Sequence, residues 1–161
     1  MENKENLTRI ASFSVNHDYI IPGIYVSRID GDITTYDLRT RKPNCGDYMD
    51  NLTMHSVEHL FATLVRNSGI KERVIYFGPM GCQTGFYLLV RNADNDEVFE
   101  TVADVLRGII SFEGEMPGNR REECGNFENL DMGAAKTECK RYLDALLSNP
   151  ARFDYPDGKG Q

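Results

Sequence analysis

Apolar and polar positions alternate over short runs in two parts of the chain. Ser12 to Val15, Gly23 to Ile29 (GIYVSRI) and Ile33 to Arg39 (ITTYDLR) are rich in β-branched and aromatic residues, the pattern of strands. Asp30-Gly31-Asp32 supplies a turn between the last two, which predicts a hairpin. Lys42 to Asn51 (KPNCGDYMDN) breaks the alternation with Pro, Gly and Asn and is predicted to be a loop. Arg73 to Phe77 (RVIYF) and Phe86 to Val90 (FYLLV) resume the strand pattern on either side of a glycine-rich turn, GPMGCQTG.

Between and after these runs the apolar period changes to that of a helix. A first helix is expected after the loop, capped by Asn51 or Thr53 and closed near Ser68-Gly69, with Met54, Val57, Leu60, Phe61, Leu64 and Val65 on its buried side. Asp94-Asn95-Asp96-Glu97 opens a second, in which Val98, Val102, Val105, Leu106 and Ile109 recur at helical spacing. Residues 113–129 have no period and are predicted to be irregular, and a third helix is expected from Asp131 to Leu147. Hairpin-linked strands with helices between the strand groups predict an α+β domain, an antiparallel sheet with helices packed on one face.

The 161 residues fit a single domain, with a polar N-terminal extension over about 1–10 and a flexible C-terminal tail over about 150–161. A content of 40% hydrophobic and 27% charged residues is that of a soluble globular protein. The net charge of -7 argues against a nucleic-acid partner, which needs a basic face to displace counterions. No apolar run approaches the ~20 residues that cross a bilayer, and the first residues lack the apolar centre of a secretory signal. The four cysteines form no CxxC pair. A reducing cytoplasm with free thiols is therefore the expected setting.

The candidate chemistry lies in the first helix, in the run HSVEH. Residues four apart are about 40° apart around a helix axis, so His55 and His59 share a face one turn apart. Two imidazoles at that spacing can converge on one ion, with Glu58 on the same side to reach a bound water or substrate. The order H-x-x-E-H also occurs in one group of metallopeptidases, so a zinc metallohydrolase is one alternative and a structural metal another. A catalytic site needs about three protein ligands and an open position. Candidates for the third ligand are His17, Cys45, Cys82, Cys124, Cys139 and the acids. Cys139 falls at helical spacing with Ala135, Tyr142 and Leu146 and is expected to pack in the core. Cys45 sits in the exposed loop and is set aside. Cys82 and Cys124 each adjoin glycine in irregular segments and have no packing reason to be there.

The blocks SFSVNH, YDLRTRKPN, HSVEH, GPMGCQTGFYL and CGN together resemble the S-ribosylhomocysteine lyase (LuxS) family, from about Ser12 to the third helix. The resemblance implies that His55, His59 and Cys124 bind one divalent metal, Fe(II) in the family, with Zn or Co able to occupy the site. It implies cleavage of S-ribosylhomocysteine to homocysteine and 4,5-dihydroxy-2,3-pentanedione, the precursor of the quorum-sensing signal autoinducer-2. That reaction moves the sugar carbonyl from C1 to C3 by two isomerisations, which makes C4 acidic enough for β-elimination of the thioether. The resemblance implies Cys82 and Glu58 as catalytic proton carriers and Ser12, His17 and Arg39 as substrate contacts. A regular strand would put Ser12 and His17 on opposite faces, so a bend at Asn16-His17-Asp18 is expected between them. Family members are homodimers with active sites at the subunit interface, which implies a homodimer here. Two departures stand out: Tyr76 replaces an acid six positions before the reactive cysteine, and RTRKPN replaces a commoner RFCQPN. The first bears on how the homocysteine end is recognised.

Overall fold

The computed structural model describes residues 7–157. Among them, strands β1 (Gly23–Asp30), β2 (Ile33–Arg39), β3 (Val74–Pro79) and β4 (Gly85–Arg91) form one antiparallel sheet in the order β1-β2-β4-β3. Helices α1 (Asn51–Val65), α2 (Asn95–Ile110) and α3 (Met132–Ser148) cover one of its faces. The α+β arrangement expected from the periodicity is the one observed.

Alternation along the strands sorts the two faces. Ile24, Tyr36, Leu38, Phe86, Leu88 and Val90 join the buried cluster that includes Val57, Leu60 and Phe61 of α1 and Val102, Leu106 and Ile109 of α2. The intervening residues Tyr25, Asp37, Arg39 and Tyr87 lie on the other face. Asp37 and Arg39 are nonetheless only 1% and 3% exposed, so a charged pair is buried on the side without helices.

Each helix begins at an aspartate whose carboxylate accepts from a free backbone N–H of the first turn: Asp50 from Thr53, Asp94 from Glu97 and Asp131 from Ala134. Asp50, not Asn51 or Thr53, thus caps α1, because its extended backbone lets the side chain fold back onto the turn. Residues 113–129 contain no helix or strand, as expected.

A further expectation is corrected. Ser12 to Val15 is not a strand. Ala11–Phe13 and His17–Tyr19 are single 3-10 turns, because this segment gains no partner in the sheet and its polar side chains bond locally. Ser14 donates to the Ile10 carbonyl at 3.2 Å, and the Asn16 side chain accepts from the Asp18 N–H at 3.0 Å. The bend between Ser12 and His17 therefore exists, made by turns. The C-terminal segment, expected to be a flexible tail, makes contacts with the sheet as far as Tyr155. The N–H of Phe153 donates to the Ile24 carbonyl and its carbonyl accepts from Val26 in a parallel bridge to β1. Residues 1–6 and 158–161, the ends of the expected extension and tail, lie outside the described residues.

The departure at RTRKPN has a structural consequence. The Arg41 guanidinium is bidentate to Glu138 of α3, at 3.1 and 2.6 Å, and also donates to Asp47 and the Tyr48 carbonyl. It ties the loop before α1 to the third helix.

Candidate active site

Helix α1 presents His55 and His59 one turn apart, and their buried neighbours Met54, Val57, Leu60 and Phe61 hold that face outward by packing into the core. Ser56 sits between the two functions. Its hydroxyl donates to the Leu52 carbonyl at 2.7 Å and accepts from the Asp131 N–H at 2.8 Å, which pins the irregular segment to the helix just before α3 begins. That anchor brings Asn129 and Cys124 over the histidines.

The Nδ1 of His55 lies 2.8 Å from the Asn129 carbonyl, and the Nδ1 of His59 lies 2.8 Å from the Pro117 carbonyl. A carbonyl can only accept, so each Nδ1 carries a proton, and in the neutral ring Nε2 is then the nitrogen with the free lone pair. Both Nε2 atoms face the Cys124 sulfur, at 3.4 and 3.7 Å. All three ligand atoms lie within 4.8 Å of one another. Ligands at about 2.1 Å (N) and 2.3 Å (S) from a tetrahedral ion would stand about 3.6 Å apart, so the spacing fits a single cation. Among the described residues this group has three members, which leaves one position open. His17 is not one of them; its Nδ1 is 2.9 Å from the Val15 carbonyl.

The pocket also explains Gly118. Its φ is +71°, and a Cβ there would stand 2.8 Å from Nδ1 of His59. Gly118→Ala is expected to displace the imidazole and weaken metal binding by about tenfold or more, as loss of a ligand's supporting contact does. Competition of the loaded protein with a chromophoric chelator measures it.

Glu58, half-buried, points into the grooves beside this group. One is lined by His55, Glu58, Pro79, Asn126 and Asn129; the other by Glu58, His59, Arg66, Tyr76 and Gly118. Tyr76 is 53% exposed, and the hydroxyl end of its ring lies over Gly78, where a Cβ would push the ring aside. Pro79 ends β3 three residues before Cys82, so the turn that carries this cysteine starts from the wall of the Glu58 groove.

That turn is tightly held. The Met80 N–H donates to the Gly85 carbonyl, Gln83 adopts a left-handed φ of 66°, and the Thr84 carbonyl accepts from Thr40 and Arg41. Exposed Cys82 then lies 3.1 Å from the Thr84 hydroxyl and 3.9 Å from Nη1 of Arg39. Arg39 uses Nε and Nη2 on Asp37, at 3.1 and 2.6 Å, and Nη1 on Thr84 at 2.8 Å. Burial opposes its charge, but Asp37 and the neighbouring Cys82 outweigh that and hold its pKa above the ordinary value. The Tyr87 phenol has its pKa raised by burial and by Asp37, against the lowering effect of the nearby Ser12 side chain; the same phenol interacts electrostatically with Arg39 and Cys82.

The structure thus brings together His55, His59 and Cys124 beside Glu58, and Arg39 with Cys82, with Ser12 next to the latter pair. Cys139 is buried, and burial pushes its thiol pKa up, as befits a packing residue; Cys45 is exposed and donates to the Lys42 carbonyl. Sequence reasoning missed Ser56, Pro117, Gly118, Asn129, Asp37 and Thr84. Only Gly118, a glycine inside the irregular segment, gave any signal.

An antiparallel sheet backed by helices, with two imidazoles and a thiol converging from α1 and the irregular segment, defines an α+β protein that has, among the described residues, one His2Cys group with the spacing to hold a metal ion. The family described as S-Ribosylhomocysteinase (LuxS) matches residues 10–152, and the chain belongs to it. The chain is similar to proteins named S-ribosylhomocysteine lyase from several bacteria. It is 41% identical to that of Finegoldia magna over 145 residues, covering 87% of this chain and 92% of the relative. It is 40% identical to that of Clostridium acetobutylicum over 159 residues, 94% of this chain and all of the relative. It is 39% identical to that of Desulfotalea psychrophila, over 93% and 99% of the two chains.

Proposed function

We propose that this chain is a metal-dependent lyase that cleaves S-ribosylhomocysteine to homocysteine and 4,5-dihydroxy-2,3-pentanedione. The observation that carries the reading is the convergence of His55 Nε2, His59 Nε2 and Cys124 Sγ beside Glu58, in a chain that belongs to this family. Bound there, a divalent cation supplies Lewis acidity toward the sugar oxygens. We take Fe(II) to be the native ion, with Zn or Co as possible occupants.

The protein residues do the proton work. Cys82, as thiolate, removes a proton from one sugar carbon and returns it to the neighbour, twice, moving the carbonyl from C1 to C3. It then takes the C4 proton, the C4–H electrons form the new double bond, and the C5–S bond breaks to release homocysteine. Glu58 carries protons among the sugar hydroxyls and carbonyls and protonates the departing sulfur. Arg39 holds positive charge beside the Cys82 sulfur, and with Ser12 and His17 it positions the ribosyl group. Tyr76 and Arg66 wall the groove that leads away from Glu58.

The protein works as a cytoplasmic homodimer in this reading. The sheet face without helices carries Arg39 and the Tyr87 group next to Ser12, and a second copy there would screen the site from water. The whole chain serves as one catalytic domain.

The metallohydrolase alternative leaves Cys82, Arg39 and their hydrogen-bonded turn without a task. A closed structural site would need Cys82 as fourth ligand, whereas its contacts are Arg39 and Thr84. Anaerobically prepared protein is expected to release free thiol from S-ribosylhomocysteine and to run as a dimer in light scattering. Failure to release thiol with the metal bound would overturn the assignment.

A further inference from the structure

The segment after α3 does more than end the chain. Asn149 donates to the Pro22 carbonyl and the Tyr25 hydroxyl, the Arg152 guanidinium lies 3.7 Å over the Phe99 ring, and Phe153 pairs with β1. These contacts carry the backbone past the edge of the sheet to its helix-free face. There the Tyr155 ring stacks on Tyr25, with centroids 4.8 Å apart, and its hydroxyl donates to Oδ2 of Asp37 at 2.7 Å.

Asp37 is almost completely buried, so its orientation is set by its donors. Its Oδ2 accepts from both Arg39 Nη2 and Tyr155, and its Oδ1 accepts from Arg39 Nε. The carboxylate thus occupies one edge of the guanidinium and leaves Nη1 for Thr84 and Cys82. The phenol fixes the carboxylate's rotation and draws off part of its charge, so that Asp37 neutralises Arg39 less completely at the edge that faces sulfur. Burial and the charge of Asp37 raise the Tyr155 pKa, which keeps the hydroxyl protonated and donating.

We propose that Tyr155 is a positioning residue for Cys82, acting through Asp37 and Arg39, and that the C-terminal segment is thereby part of the support of the active site. The significance for catalysis rests on the reading of Cys82 as the base; the coupling itself does not. Arg39 and the Tyr87 phenol both interact with this sulfur, and Asp37 interacts with each of them.

The test uses the full, metal-loaded chain with Tyr155→Phe, which keeps the ring on Tyr25 and removes only the donor. Alkylation of Cys82 by iodoacetamide is followed by peptide mass spectrometry between about pH 6 and pH 10, with exposed Cys45 as internal reference. The variant is expected to react about three- to tenfold more slowly at neutral pH, with rates converging at high pH. This pattern separates a change in thiolate population from a change in access. Its kcat for thiol release is expected to fall by a similar factor with KM unchanged. An alkylation profile that superimposes on the wild type overturns the inference. A displaced profile in a protein whose wild type releases no thiol upholds the coupling and rejects the lyase reading instead.

Discussion

Cys82→Ala is expected to lower thiol release from S-ribosylhomocysteine by about 10²- to 10⁴-fold with the metal content unchanged, the range lost when a positioned acid-base group is removed. The size follows from repetition: in the proposed mechanism the same sulfur takes a proton from carbon in both isomerisations and again before elimination. No neighbour can replace it. Thr84, 3.1 Å away, offers only a hydroxyl, and Arg39 cannot act as a base. Metal retention follows from geometry, since the ligand group is His55, His59 and Cys124. Parallel measurement of thiol release and bound metal tests both halves. Full turnover in the variant would refute the base assignment, and an emptied metal site would make Cys82 a ligand.

Cys124→Ala should give the opposite pairing, with metal and activity lost together. It removes the only anionic donor of the three, leaving two neutral imidazoles to hold a divalent ion in an open-sided site. The fold should survive, because Cys124 belongs to an irregular segment held from elsewhere, by Ser56 on Asp131 and by the carbonyls of Asn129 and Pro117 on the histidines. Metal analysis after desalting, together with circular dichroism, checks the prediction. Stoichiometric metal in a folded variant would show that another residue completes the site.

The two cysteines separate cleanly because their surroundings differ. Cys124 faces two bare imidazole nitrogens, while Cys82 faces a guanidinium and a hydroxyl. The proposed ligand role of one and proton-carrying role of the other rest on what stands within about 4 Å of each sulfur.

Local rules were enough for part of this molecule. Periods of two and 3.6 placed the four sheet strands and three helices, because burial of one face forces the pattern onto the sequence. The i, i+4 spacing in HSVEH put both imidazoles on one side of α1 before any packing was considered. The strand expected at Ser12 to Val15 failed because four alternating residues say nothing about whether a neighbouring strand is free to pair with them.

Distant pairings were beyond those rules. That Cys124 closes the site depends on the Ser56 anchor and on two carbonyls from a stretch with no period. That Asp37 and Arg39 form a buried pair depends on a segment after residue 150 which, by composition, reads as a loose end. Sequence by itself determined which side chains share an element face, since helix and strand geometry repeat over a few residues. Only the tertiary structure decided which faces meet, because the contacts that set the metal ligands and the surroundings of Cys82 join residues separated by 40 to 120 positions, and no local periodicity encodes such closures.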